Sequence, residues 1–100
     1  MDIEIVRQDG EVMTSLKGRL DTPASLEIAP QMETLAEDAA GTIVLDCSEL
    51  TYISSSGLRL FLTLRKAAAE KGGRIIVRNL SNEIRSVFMM TGFLNLFEIQ

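Results

Sequence analysis

The sequence predicts an α/β domain with a mixed, mostly parallel sheet packed with helices, in the order ββαβαβαβ. Three observations carry this. Two alternating apolar runs flank Asp9-Gly10, two β-branched runs (Thr42 to Leu45 and Arg74 to Arg78) follow helical patterns, and glycine or hydroxyl residues stand at each junction. An opening hairpin followed by alternating helices and strands requires crossover connections, which make the later strands parallel.

Ile3 and Ile5 alternate within Asp2 to Gln8, and Val12, Thr14 and Leu16 alternate after the turn. Asp-Gly suits a type I′ turn because both central residues take positive φ. These runs are β1 and β2, and Gly18 is expected to close the second. Asp21-Thr22-Pro23 then supplies a cap and a first-turn proline, so helix α1 starts there. Ile28, Met32, Leu35, Ala36 and Ala39 share one face, while Pro30 predicts a kink or two helical pieces, since an interior proline costs roughly 3 kcal/mol.

Gly41 ends α1, and Thr42 to Leu45 forms β3. Asp46-Cys47-Ser48-Glu49 reads as a turn, with Asp46 a local Asx acceptor and not a catalytic acid, and with Leu50 and Ile53 returning to the core. Ser54-Ser55-Ser56-Gly57 precedes the longest helical pattern, α2, which starts near these serines and stops at Gly72-Gly73. The chain is organised around this stretch. A helix start carries unpaired N–H groups, so a phosphate on a serine is well tolerated there. Arg74 to Arg78 is β4, Ser81-Asn82 caps α3 with its stripe Ile84, Val87 and Phe88, Gly92 ends it, and Leu96 to Ile99 is a last short strand.

With 100 residues, 46% of them hydrophobic, the chain reads as a single domain over residues 1–100. A net charge of −4 disfavours nucleic acid and anionic membranes as partners. No apolar run approaches the roughly 20 residues of a membrane span. Cys47 is the only cysteine and the first residues are acidic, so a reducing, cytoplasmic setting is the expectation. There is no histidine and no phosphate-cradling glycine motif, which argues against an enzyme, a metal site or a bound cofactor.

Taken together, Leu16-Lys17-Gly18-Arg19-Leu20-Asp21, Ile43-Val44-Leu45-Asp46, Leu50-Thr51-Tyr52-Ile53, Ser54-Ser55-Ser56-Gly57-Leu58 and Val87-Phe88-Met89-Met90-Thr91-Gly92-Phe93-Leu94 resemble the STAS domain family, and within it the bacterial anti-sigma factor antagonists. The resemblance covers nearly the whole chain and implies a STAS-like fold. It also implies partner switching. The unphosphorylated protein binds an ATP-binding serine kinase that doubles as anti-sigma factor and so releases sigma factor, phosphorylation ends the binding, and a phosphoserine phosphatase resets it. In the family the loop before α2 reads Asp-Ser-(Ser or Thr)-Gly. By position Ser55 is the phosphoacceptor, Ser56 the second hydroxyl and Gly57 the glycine, while Ser54 departs from the aspartate. The family's short helix after the last strand is expected to be missing. A non-phosphorylated adaptor subunit of a transport complex is the alternative that the missing aspartate favours.

On α2, Arg59, Thr63, Lys66 and Glu70 form a polar stripe, and Leu58, Leu60, Phe61, Leu62 and Leu64 cover more arc than one buried stripe needs. Leu58 and Leu62 are therefore expected to face outward and, with Met89, to line the partner-docking surface. Asp21, Ser54, Ser56 and Gly57 are expected on the same partner-binding edge, and the free protein is expected to be a monomer.

Overall fold

A computed structural model describes residues 1–100. The elements are β1 Asp2–Gln8, β2 Glu11–Leu20, α1 Thr22–Glu37, β3 Thr42–Ile53, α2 Ser55–Lys71, β4 Arg74–Arg78, α3 Asn82–Thr91, a 3-10 turn Phe93–Asn95 and β5 Glu98–Ile99. The strands form one sheet in the order β1-β2-β3-β4-β5. Only β1 and β2 are antiparallel, joined through Asp9 and Gly10, both at positive φ. The remaining pairs are parallel. The mixed, mostly parallel sheet and the order ββαβαβαβ are as the sequence predicts.

Strand β3 differs from its expected extent. It does not turn at Asp46 to Glu49 but continues to Ile53, pairing with β2 from Glu11↔Thr42 to Leu20↔Ile53. Its 12 residues match the 10 of β2 through two register shifts, each placing an extra residue in β3. Each bulge resets which residue points inward. Leu45, Cys47, Leu50 and Ile53 are all buried although their spacing is not a strict alternation. Asp46 is nevertheless a local acceptor, its Oδ1 taking the Ser48 N–H at 3.2 Å. Gly18 does not end β2 either; it stays in the strand at φ +104 beside the second bulge, a conformation that favours glycine.

Helix α1 runs as one element through Pro30, held by buried Ala24, Ile28, Met32 and Leu35, while Pro30 itself faces solvent. The expected division into two pieces does not occur. β5 is shorter than expected because Leu96 is the C-cap of the 3-10 turn Phe93–Asn95 and its carbonyl accepts the Arg65 Nε–H at 2.7 Å.

All three helices pack on the sheet face that carries Val12, Leu16, Ile43, Leu45, Ile75 and Val77, in one continuous core. α2 and α3 join through Phe61 and Phe88, whose ring centres are 6.0 Å apart and edge-to-face. The opposite face carries the row Val6, Met13, Val44, Ile76 and Glu98. Its charged borders are paired: Lys17 lies between Glu4 and Glu49, and Arg74 holds Glu98 at 2.6 Å. Helices therefore cover only one face.

One polar atom in the core lacks a partner. Thr14 is fully buried on β2 and its Oγ1 makes no hydrogen bond. Thr14→Val keeps the shape and removes an unsatisfied hydroxyl, so it should stabilise the fold by about 1–2 kcal/mol in a urea titration. A loss of stability would show that the hydroxyl has a partner in solution.

Candidate functional site

The site lies where parallel strands β2 and β3 end, on the edge at which α/β folds gather their ligand-binding loops. The Ser54 N–H donates to the Leu20 carbonyl at 2.9 Å and so ties the serine loop to the end of β2, one residue before Asp21. Asp21 is thus beside the serine loop as expected. Its Oδ1 also accepts the Ala24 N–H at 2.9 Å, so it caps α1 at the same time. Just behind, the Arg19 guanidinium lies over the Tyr52 ring at 4.3 Å, a cation–π contact between β2 and β3.

The three serines divide their work. Ser54 is the N-cap of α2, with extended backbone and its Oγ accepting the Gly57 N–H at 3.2 Å. Ser55 is the first residue of α2; it is exposed and its hydroxyl has no hydrogen bond within the chain. Ser56 is half-buried. It turns toward a groove of about 250 Å³ between α1 and α2, which Thr22, Leu26, Arg59 and Thr63 also line.

Gly57 and Leu58 are buried, which corrects their expected place on the docking surface. Leu58 is only 8% exposed and belongs to the core, because α2 is flanked by α1 on one side and by the aromatic cluster on the other. Gly57 acts from beneath, since a Cβ there would lie within 3 Å of Leu20 and Ile53 side-chain atoms. Leu62 and Met89 do face outward, at 38% and 64% exposure. The structure adds Leu26, 75% exposed, and Arg59, which line the same groove as Ser56, while Met90, 82% exposed, lies in the last turn of α3. Arg59 was legible as part of the polar stripe of α2 and one turn after Ser55.

A larger open depression of about 500 Å³ lies at the far end of the sheet, around Asp9, Gly10, Glu37 and Asp38. It is a gap beside a turn, bridged by the Arg7–Asp38 ion pair at 2.7 Å. Cys47 offers no reactive thiol: burial, aided by the charge of Asp46, pushes its pKa up to about 12. No helix is long and apolar enough to cross a membrane.

Residues 2–100 match the family model of the STAS domain. The chain belongs to the STAS domain family. Among relatives of this STAS domain, BtrV of Bordetella bronchiseptica, which bears the name of an anti-sigma factor antagonist, is 27% identical over 99% of the chain and 85% of its own length. Among solved structures, the anti-sigma factor antagonist SpoIIAA in its unphosphorylated form superposes with a TM-score of 0.77 at 25% identity, covering 99% of this chain and 87% of that one. The Bacillus cell fate determinant SpoIIAA in its phosphorylated form gives 0.76 at 26% identity, covering 99% and 91%. The domain is therefore SpoIIAA-like in fold, and BtrV and SpoIIAA both bear the name of anti-sigma factor antagonists.

Proposed function

We propose that this STAS domain is an anti-sigma factor antagonist that works by partner switching, with Ser55 as phosphoacceptor. The observation that carries the reading is the division of labour among the serines: Ser54 caps α2, and that leaves the Ser55 hydroxyl exposed and unbonded. A hydroxyl in this condition can be reached by a kinase without unwinding the helix. The relatives support it, since SpoIIAA is known in both unphosphorylated and phosphorylated forms.

In this reading the unphosphorylated face binds an ATP-binding serine kinase that is also an anti-sigma factor, and so frees sigma factor in the cytoplasm. Asp21, Ser54, Ser56, Leu62 and Met89 belong to that face, with Gly57 and Leu58 supporting it from below. A phosphate brings about −1.5 to −2 charges to its centre and disrupts docking, and a phosphoserine phosphatase restores it. Ser55 is a substrate residue here, and the domain itself catalyses nothing.

The test incubates the protein with its cognate kinase and ATP and maps phosphate by mass spectrometry. Phosphate is expected on Ser55, with Ser55→Ala binding the kinase constitutively and Ser55→Asp at least tenfold more weakly, about 1.4 kcal/mol. Phosphate on Ser54 or Ser56 alone refutes the assignment. No phosphate with an active kinase favours a non-phosphorylated adaptor in a transport complex, the reading to which Ser54 in the aspartate position lends weight.

A further inference from the structure

We infer that Arg59 is a built-in counter-ion for a phosphate on Ser55, a regulatory pairing inside the domain that rests on Ser55 being the acceptor. Both residues are exposed and lie within the unbroken helix α2, one turn apart. Residues at i and i+4 on a helix are surface neighbours, and an acidic group N-terminal to a basic one is the favourable order. A guanidinium can also take two phosphate oxygens at once.

Arg59 is free for this role. Its side chain makes no hydrogen bond or ion pair, a state it shares with Lys66 and Arg85, whereas Arg7, Lys17, Arg65, Lys71, Arg74 and Arg78 are all engaged. The two charged residues at the end of β2 are engaged as well. Arg19 lies over Tyr52, and Asp21 accepts the Ala24 N–H. The first turn of α2 holds no carboxylate, because Ser54 and not an acid supplies the cap, so nothing there competes for the guanidinium.

The consequence is a reversal of charge, not a mere addition. Before modification the surface beside the serine is positive through Arg59. Afterwards the phosphate neutralises that cation and still leaves roughly one negative charge. The partner thus meets a face of opposite sign, with the phosphate held against the helix.

The experiment uses the full chain with phosphoserine installed at position 55 during synthesis, so it needs no kinase, and follows the phosphate by phosphorus NMR against pH. The ordinary second pKa of phosphoserine is about 6. It should be roughly half a unit higher in Arg59→Gln than in the otherwise unchanged protein, remain low in Arg59→Lys, and lose that difference in about 1 M salt. Lys66→Gln, further along the same face, should leave the titration unmoved. Equal midpoints for Arg59→Gln and the unchanged sequence would overturn the pairing. If a kinase never modifies Ser55, only the acceptor assignment falls, because the installed phosphate still reports on Arg59.

Discussion

Phe88→Ala is expected to destabilise the domain by about 3–5 kcal/mol. Phe88 is fully buried on α3, and its ring lies 5.6 to 6.2 Å from those of Phe61, Phe93 and Phe97. Truncation would leave a cavity walled by three rings from two helical segments and the approach to β5, none of which can collapse without moving the others. A domain of this size has about 5–15 kcal/mol of stability in all, so the loss approaches the whole margin. A urea titration should show the midpoint falling steeply, and the melting temperature should drop by about 15 °C or more. Met89→Ala, one position along and 64% exposed, should change stability by less than about 0.5 kcal/mol. Equal costs for the two would mean that α3 is not anchored as described. The contrast matters for function, because the same helix holds α2 in place through Phe88 and offers Met89 outward.

How far these features can be read from sequence depends on whether local chemistry or tertiary pairing decides them. Asp9-Gly10, Ser54, Ser81 and Asp21 were legible because a turn or a cap is settled by residues within a few positions, and each does in the structure what its chemistry dictates. The middle of β3 was not. Asp46, Ser48 and Glu49 are poor strand formers, and the inward residues Leu45, Cys47, Leu50 and Ile53 are spaced by two and then by three. That spacing follows from two bulges that exist only because β2 runs alongside with fewer residues. Leu58 failed for a related reason. A helix wheel shows a wide apolar arc on α2 but not that neighbours cover both flanks, and Leu58 lies on the covered side while Leu62 does not. In the candidate site the serines were therefore readable as individuals, whereas the order of burial beneath them required the packing of α2 on Leu20 and Ile53.

Gly57→Val tests that packing and is the second large effect expected. Gly57 lies in the first turn of α2, so any side chain would intrinsically favour the helix over glycine, by up to about 1 kcal/mol for alanine and less for valine. Sterics oppose this. A Cβ would sit 2.8 Å from Leu20 Cγ and 2.9 Å from Ile53 Cγ1 and Leu20 Cδ2, and both residues are buried, so neither side chain has free space to swing into. Valine adds two further carbons, and overpacking of this kind costs about 1–3 kcal/mol or more, which outweighs the gain in helix propensity. The strain falls where it matters, because Leu20 also presents the carbonyl that holds the Ser54 N–H, and Gly57 gives its own N–H to the Ser54 side chain. Relief comes most easily by lifting the first turn of α2 off the sheet, which would break both bonds and displace Ser55. The expected result is a stability loss of about 3 kcal/mol by urea titration, with phosphorylation of Ser55 by the cognate kinase reduced more than the unfolded fraction alone explains. Phosphorylation that merely tracks the folded population would show that the serine loop does not depend on this contact.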